Sequence, residues 1–207
     1  MKLSQYAIYV SPNADMEIAS CGFYNPRTKI LKTQRNLPHW NQEKKFFFVT
    51  FRLADSIPQE ISRRLREKRD IWLTLHPKPW DCIAEAEYYK KFHFPLEKFL
   101  DEGFGSCILR EARICRIVHD SLCHFDGQRY DLFCFVIMPN HVHVLLRTRQ
   151  QFNLSEILFS WKSFSAHAIN RVLRTCGRVW QAESWDRIIR SRAHFDRVFK
   201  YILDNPR

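Results

Sequence analysis

The sequence lacks any long uninterrupted hydrophobic run, and this absence limits where the protein is expected to reside. No apolar stretch approaches the ~20 residues that a membrane-spanning helix needs. The N-terminal segment has a single early lysine but no continuous hydrophobic region of the signal-peptide kind. We therefore expect no membrane span and no export, so the protein should stay in the cytoplasm.

Paired cysteine motifs are also missing. The sequence has 7 cysteines, an odd number, and no CxxC pair. This pattern argues against a disulfide framework and against a cysteine-ligated zinc site. Several cysteines stand within apolar runs, where a free thiol behaves as a small core residue.

Acidic residues are scarce relative to basic ones. The 33 Lys and Arg residues outnumber the 22 Asp and Glu residues, which gives a net charge of +11. A surplus of this size favours a polyanionic partner, because each basic side chain that reaches a phosphate releases counterions. Charge alone fits a nucleic-acid function and an incidentally basic protein about equally.

The order of predicted elements indicates the fold class. Residues 1–40 are polar and contain breakers, so we expect an irregular N-terminal leader there and one domain over residues 41–207. Hydrophobic periodicity in that domain predicts an α+β fold with a ferredoxin-like antiparallel sheet, helices on one face and a C-terminal helix. A helical insertion at about 76–106 follows the first strand. The predicted strands span 46–53, 130–138, 141–147 and 185–190, and the predicted helices span 58–75, 83–100 with an interruption at Pro95, 107–125, 154–173 and 194–204.

Two histidines on one predicted strand form the first candidate site. His141 and His143 are two residues apart, so in an extended strand both imidazoles lie on the same face while Val142 points into the core. Neutral imidazole is a common metal ligand, and the pair would be a bidentate platform at the centre of a sheet. Taken alone, two such histidines are more often a structural pair than a metal site.

The last predicted helix carries a second candidate group. Its buried stripe is formed by apolar residues at helical spacing, and Tyr201 lies beside this stripe. Asn205 is four residues later and so shares the face of Tyr201. A tyrosine hydroxyl beside a metal-ligating amide suits phosphoryl transfer. The alternative is a boundary tyrosine, with Asn205 merely ending the helix before Pro206.

Three motifs in the same order resemble a known family. The segments MPNHVHVLL, VWQAESWDRIIR and YILDNP resemble those of the REP-associated tyrosine transposases, which belong to the single-tyrosine HUH transposase superfamily. The segment from Arg35 to Trp40 is also similar to a subgroup of this family. The resemblance covers roughly residues 40–207, and the three motifs together are specific although each alone is weak.

The resemblance implies a role for each matching residue. His141 and His143 match the ligands of a divalent ion, Mg²⁺ or Mn²⁺, and Tyr201 matches the nucleophile. Asn205 matches the third ligand, which is often glutamine in relatives; the amide oxygen is kept on a shorter side chain. The implied reaction is cleavage and rejoining of single-stranded hairpin DNA through a 5′-phosphotyrosyl intermediate. The implied protein is a nucleoid-associated monomer or homodimer.

Basic and polar residues near the second motif are candidates for hairpin contact, with a solvated strand edge as the alternative reading. They are Arg178, Trp180, Gln181, Arg187, Arg190 and Arg192. Two other functions stay open on the sequence alone. One is a domesticated, catalytically silent transposase that binds hairpin DNA or RNA, and the other is a hydrolytic metal nuclease that uses the histidines without a covalent tyrosine.

Overall fold

The structure is a computed structural model that describes residues 7–12, 18, 22–25, 31–34, 38–42, 44–77, 80 and 82–205. Seven strands and six α-helices are assigned within these residues. The strands are β1 (Ala7–Val10), β2 (Leu31–Gln34), β3 (Pro38–Asn41), β4 (Phe46–Arg52), β5 (Tyr130–Ile137), β6 (His141–Thr148) and β7 (Trp185–Ile188). The helices are α1 (Gln59–Leu75), α2 (Cys82–Tyr88), α3 (Phe94–Asp101), α4 (Ala112–Cys123), α5 (Leu154–Leu173) and α6 (Arg192–Asp204).

A five-stranded sheet in the order β1-β5-β6-β4-β7 is the centre of the fold. Every pairing in it is antiparallel. Without the edge strand β1, the order β5-β6-β4-β7 is that of a ferredoxin-like β-α-β-β-α-β unit. The predicted α+β fold with an antiparallel sheet is confirmed, and β4 and β6 lie at the interior of the sheet.

The two faces of the sheet bury different sets of side chains because successive residues of a strand point in opposite directions. One face of β6 contributes Val142 and Val144 to a core shared with α4 and α5. The other face contributes Leu145 to a second core, in which Phe195, Val198 and Ile202 of α6 pack on the sheet. Helices α4 and α5 share one face, as predicted, and α6 covers the opposite one, which is the face of the paired histidines.

Helix α6 packs as its sequence predicts but begins two residues earlier than expected, at Arg192. Ser191 is the N-cap, and its side chain accepts a hydrogen bond from the backbone N–H of His194. The predicted apolar stripe is confirmed, since Phe195, Val198 and Ile202 are buried and Phe199 packs beside them. This packing fixes the rotation of the helix about its axis, and with it the direction of the neighbouring face.

The helical insertion between β4 and β5 contains an irregular turn. Helix α2 is followed by a π-helical turn at Tyr89–His93 and then by α3, so Pro95 stands in the first turn of α3. The segment stays helical throughout, because the backbone N–H of Phe94 donates to the carbonyl of Tyr89 and the widened turn accommodates the proline that follows. The predicted interruption is therefore present just before Pro95, as a widened turn rather than a break.

The N-terminal residues differ from the irregular leader expected for residues 1–40. Strand β1 pairs with β5, with Tyr9 opposite Phe135, and the two rings stack at 4.9 Å. Strands β2 and β3 form a separate two-stranded sheet. The expectation was wrong for these segments, because strands of four residues carry too little periodicity to be recognised in a polar context. Among the described residues, no helix is long and apolar enough to cross a membrane.

Candidate active site

The paired histidines lie on the interior strand β6, as predicted. His143 is opposite Thr50 of β4 and Val136 of β5, while His141 is opposite Arg52. His141 is 1% exposed and His143 is fully buried. The pair therefore has the rigid support that a metal-ligating group requires.

Hydrogen bonds fix the orientation of His141. The side-chain amide of Asn140 donates through Nδ2 to the carbonyl oxygen of Phe104, at 3.0 Å. This leaves Oδ1 of Asn140 as an acceptor toward Nδ1 of His141, at 2.7 Å. Nδ1 must then carry the proton, so Nε2 of the neutral ring presents a lone pair. An outer partner of this kind is what orients a metal-ligating histidine.

His143 is held in a similar way from the neighbouring strand. Its Nδ1 is 2.8 Å from Oγ1 of Thr50, a hydroxyl that can donate or accept. Both histidines thus use Nδ1 for an outer hydrogen bond, and their Nε2 atoms face each other at 3.1 Å. The ring planes are 80° apart.

This spacing fits two ligands of one divalent ion. Adjacent ligands of an octahedral ion at ~2.1 Å are separated by about 3 Å, which matches the distance of 3.1 Å between the two Nε2 atoms. Burial lowers the pKa of His141 to about 3, so the ring is neutral at physiological pH and its lone pair is available. Within the described residues, no group of three or more His, Cys, Asp or Glu side chains is placed to hold a metal ion.

Tyr201 of α6 lies against this pair. Its ring contacts the imidazole of His143 at 5.4 Å between centroids and the ring of Phe48 at 5.9 Å. The hydroxyl of Tyr201 donates to Oε1 of Glu97 on α3, at 3.2 Å. Burial raises the pKa of the Tyr201 phenol, and the negative charges of Glu97 and Asp101 raise it further. The phenol is therefore protonated at rest, with its proton directed at a carboxylate.

Asn205 ends α6, where it is the C-cap with helical dihedral angles and a half-buried side chain. It follows Tyr201 by about one helical turn, so the two side chains leave the helix on the same side. The role of Asn205 as a third ligand stays a prediction.

Two of the predicted nucleic-acid contacts line a cleft beside this site. Arg178 and Gln181 form part of its wall together with Thr50. Trp180 stands between them in sequence but is only 4% exposed. Its indole N–H donates to Oγ of Ser165, at 2.9 Å, and its ring packs on the core of the sheet. The prediction that Trp180 contacts DNA is therefore wrong, since the ring has no free face.

The other predicted contacts lie elsewhere on the surface of the β7–α6 region. Arg187 on β7 places its guanidinium over the ring of Tyr89, at 4.9 Å. Arg190 approaches the ring of Tyr24, at 5.7 Å. Arg192 forms an exposed ion pair with Asp196 in the first turn of α6, at 2.8 Å. None of these three arginines is among the residues that line the cleft, and their contact with DNA stays a prediction.

Sequence reasoning missed several groups that hold the site together. Asn140 directly precedes His141, and an amide next to a ligand was a usable local signal. Thr50 is 93 residues from His143, and Glu97 is 104 residues from Tyr201. Only the register of β4 on β6 and the packing of the insertion bring these residues to the site, so no local pattern could indicate them.

In comparisons with known proteins, one family model matches part of the chain. The family model described as "Transposase IS200 like" matches residues 112–205, which contain both histidines, Tyr201 and Asn205. No curated protein matches the sequence.

Two solved structures are similar at low identity. One is described as a REP-associated tyrosine transposase bound to a REP hairpin; it has 12% identity and a TM-score of 0.49, with 84% of this chain and 73% of that chain covered. The other, a candidate transposase from Deinococcus radiodurans R1, has 12% identity and a TM-score of 0.32, with 88% and 97% covered. Residues 112–205 are therefore similar to the IS200-like transposase family, and this similarity covers a little under half of the chain.

Proposed function

We propose that the protein is a metal-dependent DNA transposase that cleaves and rejoins single-stranded hairpin DNA with Tyr201 as nucleophile. The observation that carries the proposal is the contact of the Tyr201 ring with His143, whose Nε2 faces that of His141 at 3.1 Å. The proposed nucleophile and the proposed metal-ligating histidines thus lie on one face of the sheet. The similarity of residues 112–205 to the IS200-like transposase family supports this assignment.

The proposed reaction is a transesterification. The Oη atom of Tyr201 loses its proton and forms a bond to the scissile phosphorus, while the bond from phosphorus to the 3′ oxygen breaks. The products are a 5′-phosphotyrosyl link and a strand with a free 3′ hydroxyl, which takes up one proton. Attack of another 3′ hydroxyl on the phosphotyrosine reverses the step and rejoins DNA, so no energy cofactor is consumed.

Each side chain at the site has a task in this proposal. Nε2 of His141 and Nε2 of His143 would hold Mg²⁺ or Mn²⁺, with the amide oxygen of Asn205 as the third protein ligand. Such an ion supplies charge neutralisation at the phosphate. Asn140 and Thr50 keep both imidazoles in the ligating orientation. The two proposed nitrogen ligands are held in this orientation without the help of a carboxylate.

Glu97 controls the hydroxyl of Tyr201. Its carboxylate is only 8% exposed and accepts the hydrogen bond from Oη of Tyr201. In the resting arrangement the phenol proton is directed at Oε1 of Glu97 rather than at solvent. The hydrogen bond therefore ties the Tyr201 hydroxyl on α6 to helix α3 of the insertion until substrate enters.

A covalent-adduct assay tests the function. The protein is incubated with single-stranded hairpin DNA and Mn²⁺ and then analysed on a denaturing gel. We expect a protein–DNA adduct for the unmodified protein and none for Tyr201→Phe. Hairpin cleavage that persists in Tyr201→Phe would instead establish a hydrolytic nuclease.

One observation favours a second function, hairpin binding without cleavage. Both imidazoles are buried, so a phosphate reaches them only after neighbouring groups move. A protein that binds the hairpin but forms no adduct under any divalent ion would match this alternative. The net charge of +11 supports both functions.

A further inference from the structure

A cleft beside the candidate active site has an unusual concentration of guanidinium groups. Its volume is about 310 Å³, and its walls come from β4, α1, the helical insertion and the segment before β7. Four arginines and two glutamates line it. The arginines are Arg52, Arg66, Arg69 and Arg178. We call this feature the arginine cleft.

The arginines of α1 differ in their partners according to the side of the helix they occupy. On the outer side, Arg63 forms ion pairs with Glu60 at 2.9 Å and Glu67 at 2.8 Å, and Arg64 forms one with Glu60 at 2.8 Å. On the cleft side, Arg66 forms no ion pair with any residue in the described part of the chain. Neither does Arg52 on the neighbouring strand, whose guanidinium donates to the neutral hydroxyl of Ser56, at 3.0 Å.

Arg52 and Arg66 therefore bring two positive charges together at the cleft without a carboxylate partner. Burial lowers the pKa of Arg52 to about 10, and the positive charge of Arg66 adds to the effect. Two cations held in this way repel each other, and an anion between them removes the repulsion. Phosphate is the anion that guanidinium groups bind best, through paired N–H donors.

The other walls of the arginine cleft are aromatic. Tyr88 and Phe92 of the insertion line it, and Trp185 of β7 lines it as well. Aromatic faces beside positive charges are the usual platform for unpaired bases, which stack on them regardless of sequence. A cleft of about 310 Å³ is at the small end of the range for ligand sites, roughly 300–1,000 Å³. It accommodates one unstacked nucleotide rather than a duplex.

The arginine cleft borders two residues that contact the candidate active site. Thr50 lines it, and the Thr50 hydroxyl is 2.8 Å from Nδ1 of His143. Glu97, which accepts the hydrogen bond from Tyr201, lines it too. A strand lying in the cleft would therefore have its next phosphate beside Thr50 and Glu97, one side chain away from His143 and Tyr201.

We propose that the arginine cleft binds the single-stranded DNA next to the scissile phosphate, with one backbone phosphate between Arg52 and Arg66 and one base against the aromatic wall. This proposal rests on the proposed function, since it names how the substrate of that site is held. It also assigns a task to the helical insertion, which supplies two of the three aromatic residues. Single-stranded nucleic acid is the ligand class, and a duplex stem would bind outside the cleft.

Binding measurements with a matched pair of variants test this inference. The probes are a fluorescent DNA hairpin with a single-stranded tail and the same hairpin without the tail, both in EDTA so that no cleavage occurs. We expect Arg66→Gln to weaken binding of the tailed hairpin about 10-fold and to reduce its salt slope by ~0.7, the value for one phosphate contact in a single strand. Binding of the tailless hairpin should not change.

Arg64→Gln is the control, because it removes the same charge from the outer side of the same helix. It should bind both probes like the unmodified protein, and Arg52→Lys should share the tail-specific loss. Equal effects of Arg66→Gln and Arg64→Gln, or equal weakening of both probes by Arg66→Gln, would overturn the inference. If the protein forms an adduct but binding does not depend on the tail, only the proposed role of the arginine cleft is rejected. If binding depends on the tail but no adduct forms, only the proposed transesterification is rejected.

Discussion

At the scale of single residues, the site depends on hydrogen bonds behind the two imidazoles. Nδ1 of His141 donates to Asn140, and Nδ1 of His143 pairs with Thr50. These bonds leave both Nε2 atoms toward the same point, which is what a bidentate ligand pair requires. The outer partners therefore decide whether two buried histidines can act as metal ligands.

Replacing Thr50 tests this dependence. Thr50→Val keeps the shape of the side chain but removes the partner of His143, so we expect Mn²⁺ to bind about 10- to 100-fold more weakly. The control is Thr148→Val, since Thr148 is equally buried and its hydroxyl has no hydrogen-bond partner in the described structure. Isothermal titration with Mn²⁺ gives both affinities, and an unchanged affinity in Thr50→Val would show that the hydroxyl does not orient the ring.

His194 makes stability depend on pH. Burial lowers its pKa to about 4, with further lowering by Arg187, Arg197 and Arg190. The unfolded chain binds a proton near pH ~6.5, so it gains a proton over this range before the folded protein does. Above pH ~6.5 His194 is neutral in both states, and the folded protein has its full stability with respect to this residue. As pH falls toward 4, proton binding to the unfolded chain lowers the free energy of unfolding by about 2–3 kcal/mol.

Urea denaturation at several pH values measures this effect. His194→Gln cannot titrate, and its free energy of unfolding should fall less steeply between pH ~6.5 and ~4 than that of the unmodified protein. Carboxylates titrate equally in both proteins, so the difference isolates His194. Parallel pH curves would contradict the assignment.

At the scale of elements, the helical insertion is the feature that completes the site. Glu97 of α3 holds the hydroxyl of Tyr201, and the turn after α3 places the carbonyl of Phe104 against Asn140. The insertion thus contacts Tyr201, the proposed nucleophile, and Asn140, the hydrogen-bond partner of His141. Its packing on the sheet is therefore expected to affect activity as well as stability.

Gly105 is the position where this turn is most sensitive. Its φ is +90°, and a Cβ there would be 2.6 Å from the backbone oxygen of Asp55. Gly105→Ala should therefore destabilise the protein by about 2–3 kcal/mol, because a left-handed conformation costs ~1–2 kcal/mol and the backbone contact adds to it. Gly127→Ala should cost only about 1 kcal/mol, since Gly127 also has positive φ but no atom lies within 4 Å. Thermal or urea denaturation compares the two variants, and equal losses would mean that the turn can move away from Asp55.

The elements themselves were largely predictable from the sequence. Helices α5 and α6 have long apolar stripes at helical spacing, and the strand on each side of Asn140 is a run of apolar residues. Strand β1 was missed because its four residues alternate between half-buried and exposed and are held only by pairing to β5. Long-range pairing has no local signature, and short edge strands depend on it entirely.

The site was predictable only in part. Strand periodicity places His141 and His143 on one face, and helix periodicity places Tyr201 beside the apolar stripe, but the roles predicted for them came from the resemblance of three motifs to the transposases. Trp180 was misassigned, since a tryptophan beside basic residues resembles a stacking platform until its indole is seen in the core. Glu97 was missed because it lies on the helical insertion, and only the tertiary packing brings it to Tyr201.

At the scale of the whole molecule, the two faces of the sheet carry different groups of residues. One face packs α4 and α5 into a hydrophobic core. The other carries the paired histidines, α6 and the arginine cleft. The net charge of +11 favours the approach of a polyanion. The proposed chemistry would take place on the face where Tyr201 and His143 meet.

The position of a covalent link is the most direct test of this account. The protein is reacted with hairpin DNA and Mn²⁺, the DNA is trimmed with nuclease, and the modified peptide is sequenced by mass spectrometry. The account predicts a 5′-phosphonucleotide on Tyr201 of the unmodified protein and no modified peptide in the His143→Ala variant. A nucleotide on another residue such as Tyr89, or cleaved DNA with no modified peptide, would contradict it.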